Sequence, residues 1–203
     1  VYNSAITLCA RLEQPKMAAD LVTEMLSIGL VPDAVTFSAT IAACCSQDGD
    51  WRRAMQILDD ARSGGNSGRM PGLGIQPSLE SYSIGMTACA KGGQWQEALR
   101  LLREMQEDAH IKVDVVAYSA AITACANAGK WEEALAILDE MPKSGVRPNE
   151  VTCNAAIKAC GDAGQWQHAL SILRGMPNAG LSPTVITYNS AIAALGVAGK
   201  NEQ

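Results

Sequence analysis

Apolar residues in the stretch from Val115 to Asn149 recur at helical intervals, twice, with a break between. Tyr118, Ile122 and Cys125 fall at i, i+4 and i+7, the spacing of one helix face. Gly129 then interrupts the pattern as a helix-ending residue. A second stripe follows in Trp131, Ala134, Leu135, Leu138 and Met141. Glu132 and Glu133 suit the positive N-terminal end of that helix, and Gly145 with Pro148 closes it. The pattern predicts a helical hairpin with one apolar face on each arm.

The same hairpin is written repeatedly. Cys9, Cys44, Cys89, Cys125 and Cys160 are separated by 35, 45, 36 and 35 residues. Tyr2, Phe37, Tyr82, Tyr118, Cys153 and Tyr188 keep the same spacing, as do Trp95, Trp131 and Trp166, with Trp51 displaced by a one-residue insertion. The period is 35 residues. It divides the chain into an incomplete unit (1–33), four units (34–78, 79–114, 115–149 and 150–184) and the opening of another (185–203). A single hairpin cannot bury its apolar face alone, whereas stacked hairpins share one continuous core. The expected fold is therefore all-α, an α-solenoid of stacked helix-turn-helix hairpins. The tryptophans, leucines, methionines and repeated cysteines are expected in its core. Between Ala61 and Pro77 the chain reads ARSGGNSGRMPGLGIQP, about nine residues longer than the equivalent turns. That composition predicts a surface loop insertion near 62–75. It lacks the GxxxxGK[ST] pattern of a phosphate-binding loop. Because the sequence starts and stops inside a unit, it is expected to be a fragment of a longer chain, with any targeting peptide upstream.

Composition supports helix packing. Hydrophobic residues make up 48% and aromatics only 4%, so the interior relies on small side chains. Seven cysteines without a CxxC pair, mostly at one repeat position, fit buried thiols in a reducing compartment better than a disulfide framework. His110 and His168 belong to no ligand-like cluster, so neither metal nor cofactor is expected. No apolar run is long enough for direct membrane insertion. The formal net charge of −5 opposes general nucleic-acid affinity, which grows with neutralised phosphates.

A unit that ends in G-[LIV]-x-P-[DNST] and reopens with V-[VIT]-x-Y-[NS] is matched by the stretches GLVPDAVTFSATI, GIQPSLESYSIGM, GVRPNEVTCNAAI and GLSPTVITYNSAI. These lines resemble the pentatricopeptide repeat over essentially the whole chain. The resemblance implies a right-handed superhelix that binds single-stranded RNA in a chloroplast or mitochondrion, one base per repeat. In that family the fifth and last residues of a repeat select the base, and the second packs against base faces. Carried over, the selecting pairs are Asn3 with Asp33, Ser38 with Ser78, Ser83 with Asp114, Ser119 with Asn149, and Asn154 with Thr184; Asn189 is half of another. By the family's code the first resembles a uracil reader, the third a guanine reader and the fourth an adenine reader. Ser38 with Ser78 and Asn154 with Thr184 are ambiguous. Base-packing residues are Val35, Val116, Val151 and Ile186, with Glu80 a departure at the same place. The family's frequent basic residue, two places after the repeated cysteine, is matched by Arg11 and Lys91 but not by Ser46, Asn127 or Asp162.

A plainer role competes at the last position. Asp33, Ser78, Asp114, Asn149 and Thr184 are all good N-cap residues, and capping alone would select the same set. The fifth position is harder to explain structurally, because Asn and Ser are indifferent helix formers. Two functions stay open: RNA recognition in organellar RNA stabilisation, processing or translation, and an adaptor role with protein partners in a larger organellar assembly. The acidic balance and Glu80 favour the second. No paired-carboxylate, Cys/His or zinc-deaminase constellation points to an enzyme.

Overall fold

The computed structural model describes residues 2–12, 14–30, 32–46, 51–62, 77–197 and 199. Among them the chain forms α1 (Tyr2–Arg11), α2 (Pro15–Ser27), α3 (Ala34–Ser46), α4 (Trp51–Arg62), α5 (Leu79–Lys91) and α6 (Trp95–Glu107). These are followed by α7 (Val115–Asn127), α8 (Trp131–Lys143), α9 (Glu150–Asp162), α10 (Trp166–Gly175) and α11 (Val185–Val197). No strand occurs among the described residues, and none of the helices is long and apolar enough to cross a membrane. The inserted loop expected near 62–75 lies, from residue 63 on, outside the described residues.

Turn chemistry sets the hairpin breaks. After α7 the chain must reverse tightly, and Gly129 supplies a left-handed φ of 69° that other residues adopt at a cost. The amide of Lys130 then donates to the carbonyl of Cys125 at 2.8 Å, satisfying an otherwise orphaned helix-end acceptor. α10 ends at Gly175 and a 3-10 turn follows over Pro177–Ala179, whereas α8 continues through Pro142, at the equivalent place, to Lys143.

Two compact units emerge, residues 1–92 with 104–112, and residues 93–103 with 113–203. In the first, α3 packs on both α1 and α5, while α2 leans on α1 and α3, and α4 on α3 and α5. Ile6, Cys9, Ala18, Val22 and Ala43 form a core cluster there. In the second, α9 packs on α7 and α11, with α8 against α7 and α9, and α10 against α9 and α11. Its core holds Cys153, Ile157, Cys160, Ala169, Met176, Ala191 and Ala194. Small side chains permit the close approach: a Cβ on Gly161 would lie 2.9 Å from Ala194 Cβ.

Thiols follow the expectation. Cys9, Cys44, Cys89, Cys125, Cys153 and Cys160 are buried and belong to no disulfide. Burial, with Glu133 nearby, pushes the Cys125 thiol up to about 12, and burial alone takes Cys160 to about 11. Three core assignments need correcting. The four tryptophans are half-buried rather than interior, because an indole is too large and too polar at its N–H to enter an alanine-lined seam. They flank the core and take surface partners: the Arg52 guanidinium lies 4.9 Å from the Trp51 ring, Lys130 Nζ 5.2 Å from Trp95, and His168 5.2 Å from Trp131. Met17 is exposed, unlike the buried Met25, Met55, Met86, Met105, Met141 and Met176. Along α8 the fully buried stripe is Ala134, Ile137 and Met141, with Leu135 and Leu138 only partly covered, because the packed face is rotated toward Ile137.

Candidate nucleic-acid interface

The last residue of each hairpin stands just before the first helix of the next and caps it. Ser78, Asp114 and Asn149 have extended backbones, with ψ of 162°, 176° and 179°, and accept from the N–H three residues on. Asp33 accepts from the Thr36 amide at 2.8 Å, and Thr184 from that of Thr187 at 3.4 Å. Asn149 and Thr152 complete a reciprocal capping box. Capping is thus a role that all five residues fill, whatever else they do.

Geometry at the fifth position differs from site to site. Asn3 Nδ2 donates to both oxygens of Asp33, at 3.1 and 3.0 Å. Thr36 Oγ1 lies 2.7 Å from Asn3 Oδ1 and 2.9 Å from Asp33 Oδ1. The amide and hydroxyl of Thr36, then the Asn3 amide, hold the Asp33 carboxyl below its ordinary value of 3.8, although the group is exposed. Ser38 Oγ sits 3.5 Å from Ser78 Oγ and 3.0 Å from Ser81 Oγ, and donates to the Ala34 carbonyl at 2.9 Å. These two pairs are brought together.

Within the second unit no such side-chain hydrogen bond joins the partners among the described residues. Ser119 spends its hydroxyl proton on the Val115 carbonyl at 2.7 Å, and no side-chain hydrogen bond joins it to Asn149 among the described residues. Asn154 has an Oδ1 that is shielded from solvent and accepts no hydrogen bond. Ser83 belongs to the first unit and Asp114 to the second; each is half-buried, on α5 and at the α7 cap respectively. Asn189 is exposed on α11.

At the second position every side chain faces solvent. Val35, Val116, Val151 and Ile186 are 55%, 54%, 58% and 66% exposed, and Glu80 is exposed as well. Apolar residues left in water at one register position, on α3 in the first unit and on α7, α9 and α11 in the second, are not explained by core packing. Between α9 and α11 a groove of about 380 Å³ gathers Ile186 and Asn189 with Lys158, Asp162 and Ser190. Lys158 Nζ bonds Asp162 Oδ2 at 3.0 Å, so the one cation lining that groove is partly neutralised. No group of His, Cys, Asp and Glu among the described residues could hold a metal ion.

Sequence reasoning overlooked Thr36, Ser81 and Lys158. A hydroxyl three residues after the caps Asp33 and Ser78 was the available signal for the first two, since S/T/D/N followed by a polar N3 residue marks a capping box. Lys158, two residues before the repeated Cys160, was missed because the basic position was sought two residues after it.

Family models match most of the chain. The pentatricopeptide repeat domain model matches residues 100–163, the PPR repeat family model residues 1–46 and 148–196, and the PPR repeat model residues 80–109. A chloroplastic pentatricopeptide repeat-containing protein of Arabidopsis thaliana is 32% identical over 117 residues, which are 57% of this chain and 14% of that protein. A second chloroplastic one is 30% identical over 117 residues, 57% of this chain and 13% of its own. Maize PPR10 in its crystal structure is 34% identical, with a TM-score of 0.68 over 96% of this chain and 26% of that one. PPR10 in complex with an 18-nt psaJ RNA element is 25% identical, with a TM-score of 0.74 over 98% and 28% respectively. The PPR domain of Arabidopsis thaliana protein-only RNase P 1, in complex with tRNA, is 14% identical with a TM-score of 0.75, a likeness of fold alone. The chain thus spans about a seventh of these curated relatives and about a quarter of PPR10. Hairpins of this period, with the α-solenoid fold of these structures and family models matching residues 1–46 and 80–196 without a gap in either stretch, make the chain a member of the pentatricopeptide repeat family.

Proposed function

We infer that this chain binds single-stranded RNA in a chloroplast or mitochondrion, one base per repeat, as part of RNA stabilisation, processing or translation. The observation that carries this reading is the recurrence, on the first helices α3, α7, α9 and α11, of an exposed apolar side chain one turn from a short polar one. Val116 with Ser119 and Ile186 with Asn189 each offer a surface for a base face and a polar group near its edge; in Val35 with Ser38 and Val151 with Asn154 the apolar side chain is exposed while Ser38 and the Asn154 Oδ1 are buried. The likeness to PPR10, whose structure holds an 18-nt psaJ RNA element, supports the same reading. Asn3 with Asp33 would select uracil, Ser83 with Asp114 guanine, and Ser119 with Asn149 adenine. Domain limits follow the repeats, 34–78, 79–114, 115–149 and 150–184. No catalytic step is assigned to these residues.

An adaptor role has one specific observation in its favour: the carboxylate of Glu80 stands exposed where a base would pack, in a chain of net charge −5. The two readings separate in one experiment. Selection from a random RNA pool, followed by titration at rising salt, should return a motif with guanine followed by adenine. Its affinity should fall with a log–log slope of about −0.7 per phosphate contacted. Absence of RNA affinity at low salt would transfer this segment to protein partners.

A further inference from the structure

The residue three places after each cap meets the fifth-position side chain in some repeats and ignores it in others. In the first unit Thr36 is fully buried, and its hydroxyl lies 2.7 Å from Asn3 Oδ1. The same hydroxyl accepts from the Asp33 amide at 3.2 Å. An asparagine amide is nearly symmetric in shape but opposite in chemistry at its two ends, so its orientation decides which group a ligand meets. Here that orientation is fixed from both sides. Asp33 accepts from Nδ2 through both of its oxygens, and Thr36 can donate its proton to Oδ1. Flipping the amide would set Oδ1 against the Asp33 carboxylate. Ser81, equally buried, stands 3.0 Å from Ser38 Oγ in the next pair.

The second unit supplies the contrast. Thr152 is also fully buried, yet its hydroxyl serves only the backbone of Asn149, accepting from its amide at 2.9 Å and donating to its carbonyl at 2.8 Å. Thr187 engages Thr184, at 3.0 Å from its amide and 3.1 Å from its hydroxyl. Asn154, the counterpart of Asn3, is left with its Oδ1 buried and without a donor. Ala117 has no hydroxyl to offer. One repeat position therefore carries two designs within a single chain.

We propose that Thr36 is a positioning residue for base selection: through its contact with Asn3 Oδ1 it locks the Asn3–Asp33 pair in one donor–acceptor pattern, and Ser81 does the same for Ser38 and Ser78. This rests on the base-reading function inferred above. A purely structural cap would affect stability without touching specificity, whereas a positioning residue must alter the ratio of affinities for different bases.

The test uses the whole chain and RNAs that differ only at the base chosen by its first repeat, with U, C, A and G compared by equilibrium binding. Thr36→Val keeps the shape and removes the hydroxyl. It should shrink the preference for uracil by about 3- to 10-fold, the worth of one net hydrogen bond, and Thr36→Ser should restore it. Thr152→Val is the control: it should lower the melting temperature similarly and leave base preference in its repeat unchanged. Unaltered preference in Thr36→Val, no rescue by serine, or an equal loss of preference in Thr152→Val would each overturn the assignment and leave Thr36 a cap. If the unaltered chain binds RNA with no base preference, the base-reading function fails and takes this assignment with it. That outcome is recognised without any variant.

Discussion

Asp33 shows how one side chain can carry two functions at once. Its Oδ1 caps α3 through the Thr36 amide, while both oxygens receive the Asn3 amide. Because these donors favour the carboxylate, its pKa is lowered from 3.8 in the folded chain. The sign follows: this stabilisation is complete above the ordinary carboxylate value and is lost as pH falls through the lower folded-state value. Asp33→Ala should cost about 1 kcal/mol, typical of a lost N-cap. The melting-temperature difference between the two proteins should narrow below pH 4, the ordinary range of a free carboxyl. A difference that widens in acid would contradict the role given to these hydrogen bonds. In the sequence, Asp33 was legible as a cap and as half of a selecting pair. Thr36 was not, because threonine on a helix beside Val35 and Phe37 reads as one more β-branched residue until its partner across the hairpin is known.

At the level of helices, the decisive feature is how close they approach. Gly161 and Ala194 let α9 and α11 meet where any larger side chain would intrude, since a Cβ on Gly161 would come within 3.2 Å of the Ala194 Cα. Gly161→Ala should gain at most about 0.5–1 kcal/mol of helix propensity and lose about 1–3 kcal/mol to overpacking. The net expectation is a lower melting temperature. Ala194→Gly in the same protein should recover part of the loss, with a coupling energy above about 0.5 kcal/mol. A more stable Gly161→Ala protein would mean that the helices can separate freely. The same packing exposes Val151 and Ile186 on adjoining helices, so the apolar surface of the candidate interface depends on the seam beneath it.

For the molecule as a whole, stability is the sum of hairpins and of the interfaces between neighbours. The buried thiols report on it. Cys125, Cys153 and Cys160 all lie in the second unit, and burial raises each of them above the ordinary value of 9.0. At pH 8 a thiol with a pKa near 11 has on the order of 100-fold less thiolate than a free one, before burial is counted. Alkylation of Cys125 and Cys160 in the native protein should therefore be slower than in urea by at least that factor, read residue by residue with mass spectrometry. Rapid native labelling at either site would refute their place in the core. Cys9, Cys44 and Cys89 give the same readout for the first unit.

The 35-residue period, the hairpin, its glycine turns and its caps were all present in the sequence. Each arises from local physics: helical spacing of apolar residues, positive φ at glycine, and short polar side chains before a helix. The family resemblance located the fifth, last and second positions for the same reason, since a repeat places equivalent residues in register. Only the tertiary structure distinguished one copy from the next. Whether a threonine hydroxyl three residues past the cap reaches Asn3, as Thr36 does, or turns to its own cap, as Thr152 does, depends on the distance and tilt between consecutive helices. Likewise the half-burial of the tryptophans and the orphaned Oδ1 of Asn154 arise from packing between elements, which no spacing along the chain encodes.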